Sequence, residues 1–158
     1  MKITVSEYKA MMAGGKLPDV DGVRTDRQNI ITISINGDPP GKPRMTQRDK
    51  WAKRPCVVRY REWCDKARRV LEGPLPPSKM VESLEITAFF DVPKSWTKKR
   101  KVQAIGTPHR AKPDLDNIFK AVSDVFWPDD DSGIAVATTK KIWSERGRLV
   151  VTIHLMPH

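Results

Sequence analysis

Asp114, Asp116, Asp124, Asp129, Asp130 and Asp131 place six of the nineteen acidic residues within eighteen positions of a chain whose formal net charge is +10. Two of them open the segment KPDLDNIFK at 112–120, and three form the turn FWPDDDSG at 126–133. Unit charges of like sign about 4 Å apart repel by roughly 4 kcal/mol at an effective dielectric near 20. If the fold gathers such carboxylates, a divalent cation with oxygen ligands is the economical way to offset the repulsion. A carboxylate-held metal in a basic protein implies chemistry on a phosphate backbone.

Each fragment also has a purely structural explanation. Asp114 at a helix start can cap a backbone amide, and Asp116 gains from the positive end of the helix dipole. Asp116 and Lys120 are four apart, the spacing of an ordinary surface ion pair, and WPDDDSG can be only a turn. The helix start and the turn beyond the same helix are separated by about 16 Å for eleven residues at 1.5 Å rise. Asp130 therefore meets Asp116 only if the chain doubles back after Trp127, or if a second subunit supplies the missing carboxylates.

The elements that must position these groups follow from periodicity. Residues 29–35 read as a strand with Ile31, Ile33 and Ile35 on one face. Residues 57–71 read as a helix with Val58, Trp63, Ala67 and Val70 toward the interior. Leu84, Ile86, Ala88, Phe90 and Val92 alternate as a second strand, ended by Pro93. SWTKKRKVQAIG at 95–106 predicts a short basic helix or turn capped by Ser95 or Thr97. The acidic helix is expected over 115–126, with Leu115, Phe119, Val122 and Phe126 facing the sheet. Strands at 134–143 and 148–156 close the order, joined by Glu145-Arg146-Gly147 as a compact hairpin. The expected fold class is α+β, a mixed β-sheet with helices packed on one face in the order β-α-β-α-β-β. Residues 1–28 read as an N-terminal extension, loosely docked, with a short helix from Ser6 to Met12 stopped by Gly14-Gly15; residues 29–158 read as the functional domain.

Positive charge is patterned around this frame. Residues 41–69 hold eleven Lys or Arg against Asp49, Glu62 and Asp65, and residues 92–113 hold seven with no acid. GDPPGKPRMTQRDKW at 37–51 is too rich in Pro and Gly for regular structure. Its Lys42, Arg44, Arg48 and Lys50 are candidate nucleic-acid contacts, with Trp51 able to stack on a base; Lys98, Lys99, Arg100 and Lys112 are candidates in the second stripe. A solvated basic surface is the alternative reading of both stripes. His109 reads either as a surface loop residue or as a neighbour of the acidic site, and His154 and His158 are assigned no chemistry. Cys56 and Cys64 lack the further ligands a zinc site needs and are expected as reduced thiols. No apolar run reaches the length of a membrane span, and no signal segment follows Met1, so the expected location is cytoplasmic with no membrane partner.

KPDLDNIFKAVSDVFWPDDDSG at 112–133 resembles the signature of the RusA family of Holliday-junction resolvases: Asp, Asp, Asn and Lys in DLDNIFK, the helix after it, and a Trp-x-Asp-Asp turn. The segments PKSWTKKRK and GKPRMTQRDKW are similar to phage-type members, and the likeness spans residues 29–156. It implies a homodimeric, Mg²⁺-dependent endonuclease, with Mn²⁺ as a possible substitute, that resolves four-way DNA junctions in recombination and repair. It further implies Asp114, Asp116 and Asp130 as metal-binding and catalytic carboxylates, Lys120 as the essential lysine, and a structural role for Asn117. The triple Asp departs from the family's doublet, so Asp129 and Asp131 remain candidates for the third ligand. Two other readings stay open: a non-catalytic basic DNA-binding protein, and a metal-dependent phosphohydrolase acting on small phosphoesters.

Overall fold

A computed structural model describes residues 21–26 and 29–157; the short helix expected from Ser6 to Met12 lies outside them. The elements are β1 (Gly22–Thr25), β2 (Ile30–Asn36), α1 (Pro55–Leu71), β3 (Val81–Asp91), α2 (Lys98–Ala104), α3 (Leu115–Phe126), β4 (Ala137–Ser144) and β5 (Arg148–Leu155). Short 3₁₀ turns at Gln47–Lys50 and Ser78–Met80 precede α1 and β3. The five strands form one sheet in the order β1-β2-β5-β3-β4. Its pairs are antiparallel except β3 with β4, so the sheet is mixed and the α+β expectation holds.

β5 is the central strand. Arg148, Leu149, Val150 and Val151 are all buried in succession, the pattern of a strand covered on both faces. β4 is an edge, largely exposed along its first half and carrying Lys140 and Lys141, as edges that resist further pairing do. This arrangement corrects the expected hairpin. Residues 145–147 do not join neighbouring strands but pass over the end of β3, which lies between β4 and β5. Ser144 Oγ donates to the Arg146 carbonyl and accepts from the Arg146 amide, closing the bend. A Cβ at Gly147 would lie 2.3 Å from Asp38 Oδ1, so only glycine lets the chain cross there. Both strands form where they were expected, but a three-residue connection does not show which strands are neighbours. β1 was absent from the expected order because four residues with an exposed face carry almost no periodic signal.

One face of the sheet carries the main core. Ile33, Ile35, Leu84, Ile86, Val151 and Ile153 meet Tyr60, Trp63 and Ala67 of α1 and Ile118, Val122 and Val125 of α3. α1 begins with Pro55 at its first turn, where the missing N–H is no loss. It ends at Glu72, in the left-handed conformation at φ 53°. Trp63 and Ala67 are buried as expected and Val70 packs against the core, but at the start of the helix Val57 is fully buried and Val58 only partly. In α3, Val122 and Phe126 are buried as expected and Phe119 packs against the core, joined by buried Ile118, Ala121 and Val125, whereas Leu115 is 46% exposed. Cys56 and Cys64 are unpaired, and burial pushes the Cys64 thiol up. No helix among the described residues is long and apolar enough to cross a membrane.

Truncating a side chain like Ile118, with no solvent exposure, costs about 2–5 kcal/mol. Ile118→Ala is expected to lower the free energy of unfolding by that amount in urea titration, with an unchanged slope.

Candidate nucleic-acid and metal site

Asp114 is the N-cap of α3, with φ −72° and ψ 152°, and Asp116 sits in its first turn. An N-cap aspartate ordinarily accepts a hydrogen bond from a first-turn amide. Here the Asp114 side chain makes no such bond, and both carboxylates are exposed. They line an open cavity of about 1000 Å³ together with His109, Lys112, Lys140 and Lys141. Two uncommitted carboxylates, ringed by cations but ion-paired with none of them among the described residues, are a donor set that suits a hard divalent cation completed by water and phosphate oxygens. Lys120 is exposed one helical turn beyond Asp116.

Two contacts fix where this helix begins. Lys141 Nζ, from β4, donates to the carbonyls of Ala111 at 2.6 Å and Pro113 at 2.8 Å. The segment leading into Asp114 is thereby tied to the sheet edge. On the other side, the Lys42 amide donates to the Asn117 carbonyl at 3.0 Å. A Cβ at Gly41 would fall 2.3 Å from Cβ of Pro113, so the basic loop reaches the helix start only through a glycine. Lys42 Nζ itself is bound to Asp124, which makes it a strut between loop and helix as placed here.

Behind the cavity runs a ladder of rings. His109 stacks on Phe90 with centroids 4.0 Å apart and meets Trp143 edge-on at 4.3 Å. Trp143 contacts Trp96, and the Arg100 guanidinium lies 3.8 Å over the Trp96 ring. α2, capped by the Thr97 hydroxyl, is thus keyed to the same wall, with Lys98, Lys99 and Arg100 exposed. His109 is 6% exposed and its Nδ1 makes no hydrogen bond among the described residues. Burial, then the Lys141 charge, lowers its pKa and favours the neutral ring.

Asp130 is elsewhere. The turn after α3 is seated against the 3₁₀ turn before β3: Gly133 donates to Ser78 Oγ at 3.2 Å, and Trp127 Nε1 donates to the Pro76 carbonyl at 2.9 Å. Asp130 Oδ1 accepts from the Ser132 amide at 2.9 Å, and the Ser132 hydroxyl and amide hold its carboxyl below the usual range. Asp129 and Asp130 line a second cavity of about 870 Å³ with Arg68, Leu75 and Lys79. Among the described residues, no three metal-ligating side chains gather at one point. The structure joins Asp114 with Asp116 and leaves Asp130 at the far end of the helix.

The loop at 37–51 is organised by a residue that its position among cations had hidden. Asp49 is 3% exposed and accepts from the Thr46 amide and from Nε and Nη2 of Arg54, at 2.6, 2.8 and 2.7 Å. Those bonds, the Arg54 guanidinium above all, hold its carboxyl well below the ordinary carboxylate range. The spacing Thr46-x-x-Asp49 is the legible sign of a capping box. Arg44, Arg48 and Lys50 stay exposed around it, and Lys112 is exposed beside the first cavity. Lys141 carried no sequence signal beyond being a charge on an edge strand.

Charge-assisted hydrogen bonds such as those of Lys141 contribute about 1.5–3 kcal/mol each. Lys141→Met is expected to speed amide exchange across residues 110–117 at least tenfold while the β5 amides keep their protection. Unchanged exchange at 110–117 would show that the tether does not hold the helix start.

Compared with families of known proteins, residues 37–154 match the model described as Endodeoxyribonuclease RusA. A comparison with curated proteins returns no match.

Proposed function

The chain belongs to the RusA family of endodeoxyribonucleases, Holliday-junction resolvases that act on branched DNA, and from that premise we propose that it is a cytoplasmic, Mg²⁺-dependent homodimer cutting four-way junctions in pairs. The observation that carries this reading is the uncommitted carboxylate pair Asp114 and Asp116 in a cation-lined cavity beside two basic stripes. When bound, the ion lowers the pKa of a coordinated water and polarises the scissile phosphate. Asp114 and Asp116 would hold it. Lys120 stabilises charge building on the phosphate oxygens. Arg44, Arg48, Lys50, Lys98, Lys99, Arg100 and Lys112 bind the DNA backbone and supply a steep salt dependence. Lys42 and Lys141 act on the site by fixing the helix that carries it.

The third carboxylate comes from a second copy. Asp130 sits beyond the far end of α3, and a two-fold pair that lays the turn of one subunit against the helix start of the other completes both sites at once. Isologous pairing brings residue i to j and j to i, so one contact builds two centres. Two such centres suit a substrate that itself has two-fold symmetry. A basic DNA-binding protein without catalysis shares the stripes but has no use for two carboxylates facing the same cavity as its cations.

Asp116→Asn and Asp130→Asn are each expected to lose junction cleavage by at least a thousandfold while retaining binding. Mixed and re-equilibrated, the two variants form heterodimers in which one site regains all three carboxylates. Nicking of a single strand per junction then returns. Full cleavage by Asp116→Asn alone with Mg²⁺ would end the catalytic assignment. Failure of the mixture to nick, with heterodimers present, would place all three carboxylates in one subunit.

A further inference from the structure

Trp51 is 72% exposed, the most exposed large apolar side chain among the described residues. An indole presents one of the largest apolar areas of any side chain, and cores normally take it. Slackness does not account for its exposure, because the backbone beneath it is pinned. The Trp51 amide donates to the Arg48 carbonyl at 3.1 Å, and the Ala52 amide to the same oxygen at 2.7 Å. Directly before it, buried Asp49 takes both Arg54 nitrogens, and Arg61 Nη2 donates to the Asp49 carbonyl at 3.0 Å. Arg54 Nη2 also reaches the Arg44 carbonyl at 2.9 Å. The ring is therefore held out on a rigid mount.

Its surroundings name the ligand. Arg48, Lys50 and Lys53 flank the ring in the chain, all exposed and none ion-paired with a described acid. A flat aromatic face set among open cations matches a nucleobase whose own phosphates bind those cations, and stacking is available only to a base freed from its neighbours. The mount is continuous with the loop whose Gly41 and Lys42 rest on Pro113 and Asn117, either side of the carboxylate pair. Resting on the nuclease reading above, the geometry points to Trp51 as a stacking platform for an unstacked base at the branch point, which selects branched over linear DNA.

The test uses the full chain and a synthetic four-way junction carrying 2-aminopurine at the strand-exchange positions, titrated without divalent metal, beside a linear duplex of equal length. Wild-type protein is expected to quench the probe at one exchange position. Trp51→Ala should abolish that quenching and weaken junction binding about tenfold, with duplex binding and its salt slope changed less than twofold. Trp51→Phe should restore most of both signals. Quenching and junction affinity unchanged in Trp51→Ala would overturn the proposal, as would an equal loss on junction and duplex. A variant that instead loses self-association would assign the ring to a protein interface and overturn it too. Wild-type protein that neither prefers a junction nor nicks one with Mg²⁺ would sink the nuclease reading and this proposal together, whereas nicking with unaltered selectivity in Trp51→Ala sinks only the platform.

Discussion

Twelve helical residues extend about 18 Å, and α3 is clamped to the sheet by Ile118, Ala121, Val122, Val125 and Phe126. A helix docked along most of its length does not bend its ends together, so the acidic residues at its start and those beyond its finish form two stations. Everything else about the site follows from that separation. The first station is furnished with cations from β4 and from the segment before the helix, the second with Lys79 and Arg68. At neither, among the described residues, do three metal-ligating side chains gather at one point. A divided acidic cluster suffers less internal repulsion in the isolated subunit than a gathered one.

Net charge overstates what the surface offers to DNA. Several cations are spent inside the molecule: Lys42 on Asp124, Lys141 on two backbone carbonyls, Arg54 on Asp49, Lys66 on the Asn36 carbonyl. These bonds build the shape on which the remaining, open cations are displayed. The distinction is between a cation that fixes a loop and one that meets a phosphate. Substitution of the first kind loses geometry, and substitution of the second loses affinity in proportion to charge.

Much of the frame was legible in the sequence, and the reasons for the gaps are physical. α3 was read with both its limits correct, and β2, β3 and β5 within a few residues, because alternation and helical period register burial directly. Strand order was not legible: β5 lies between β2 and β3, a place the short connection at 145–147 gave no sign of. On α1, Trp63 and Ala67 were read correctly, and only Val58 was taken for its neighbour Val57, because the two are equally apolar. At the site, residue types named the carboxylates and cations. The supports, Asp49, Lys141, Gly41 and the buried ring of His109, act through contacts far apart in the chain, and local pattern carries no trace of distance. Asp130 was named by likeness to a family, and its distance from Asp116 in one subunit was already implicit in the helix length.

The central position of β5 has a bearing on biosynthesis. Residues 148–155 fill the slot between β2 and β3 and contribute Leu149, Val151 and Ile153 to the surface on which α3 rests. A ribosome that has delivered the chain as far as residue 147 has already made every aspartate of the cluster, yet the nascent polypeptide still has two unfilled strand edges facing an empty slot. Vectorial, segment-by-segment maturation is closed to such a topology. The sheet closes only when residues 148–155 pair with both β2 and β3, and until then those unpaired edges are open to pairing with other chains.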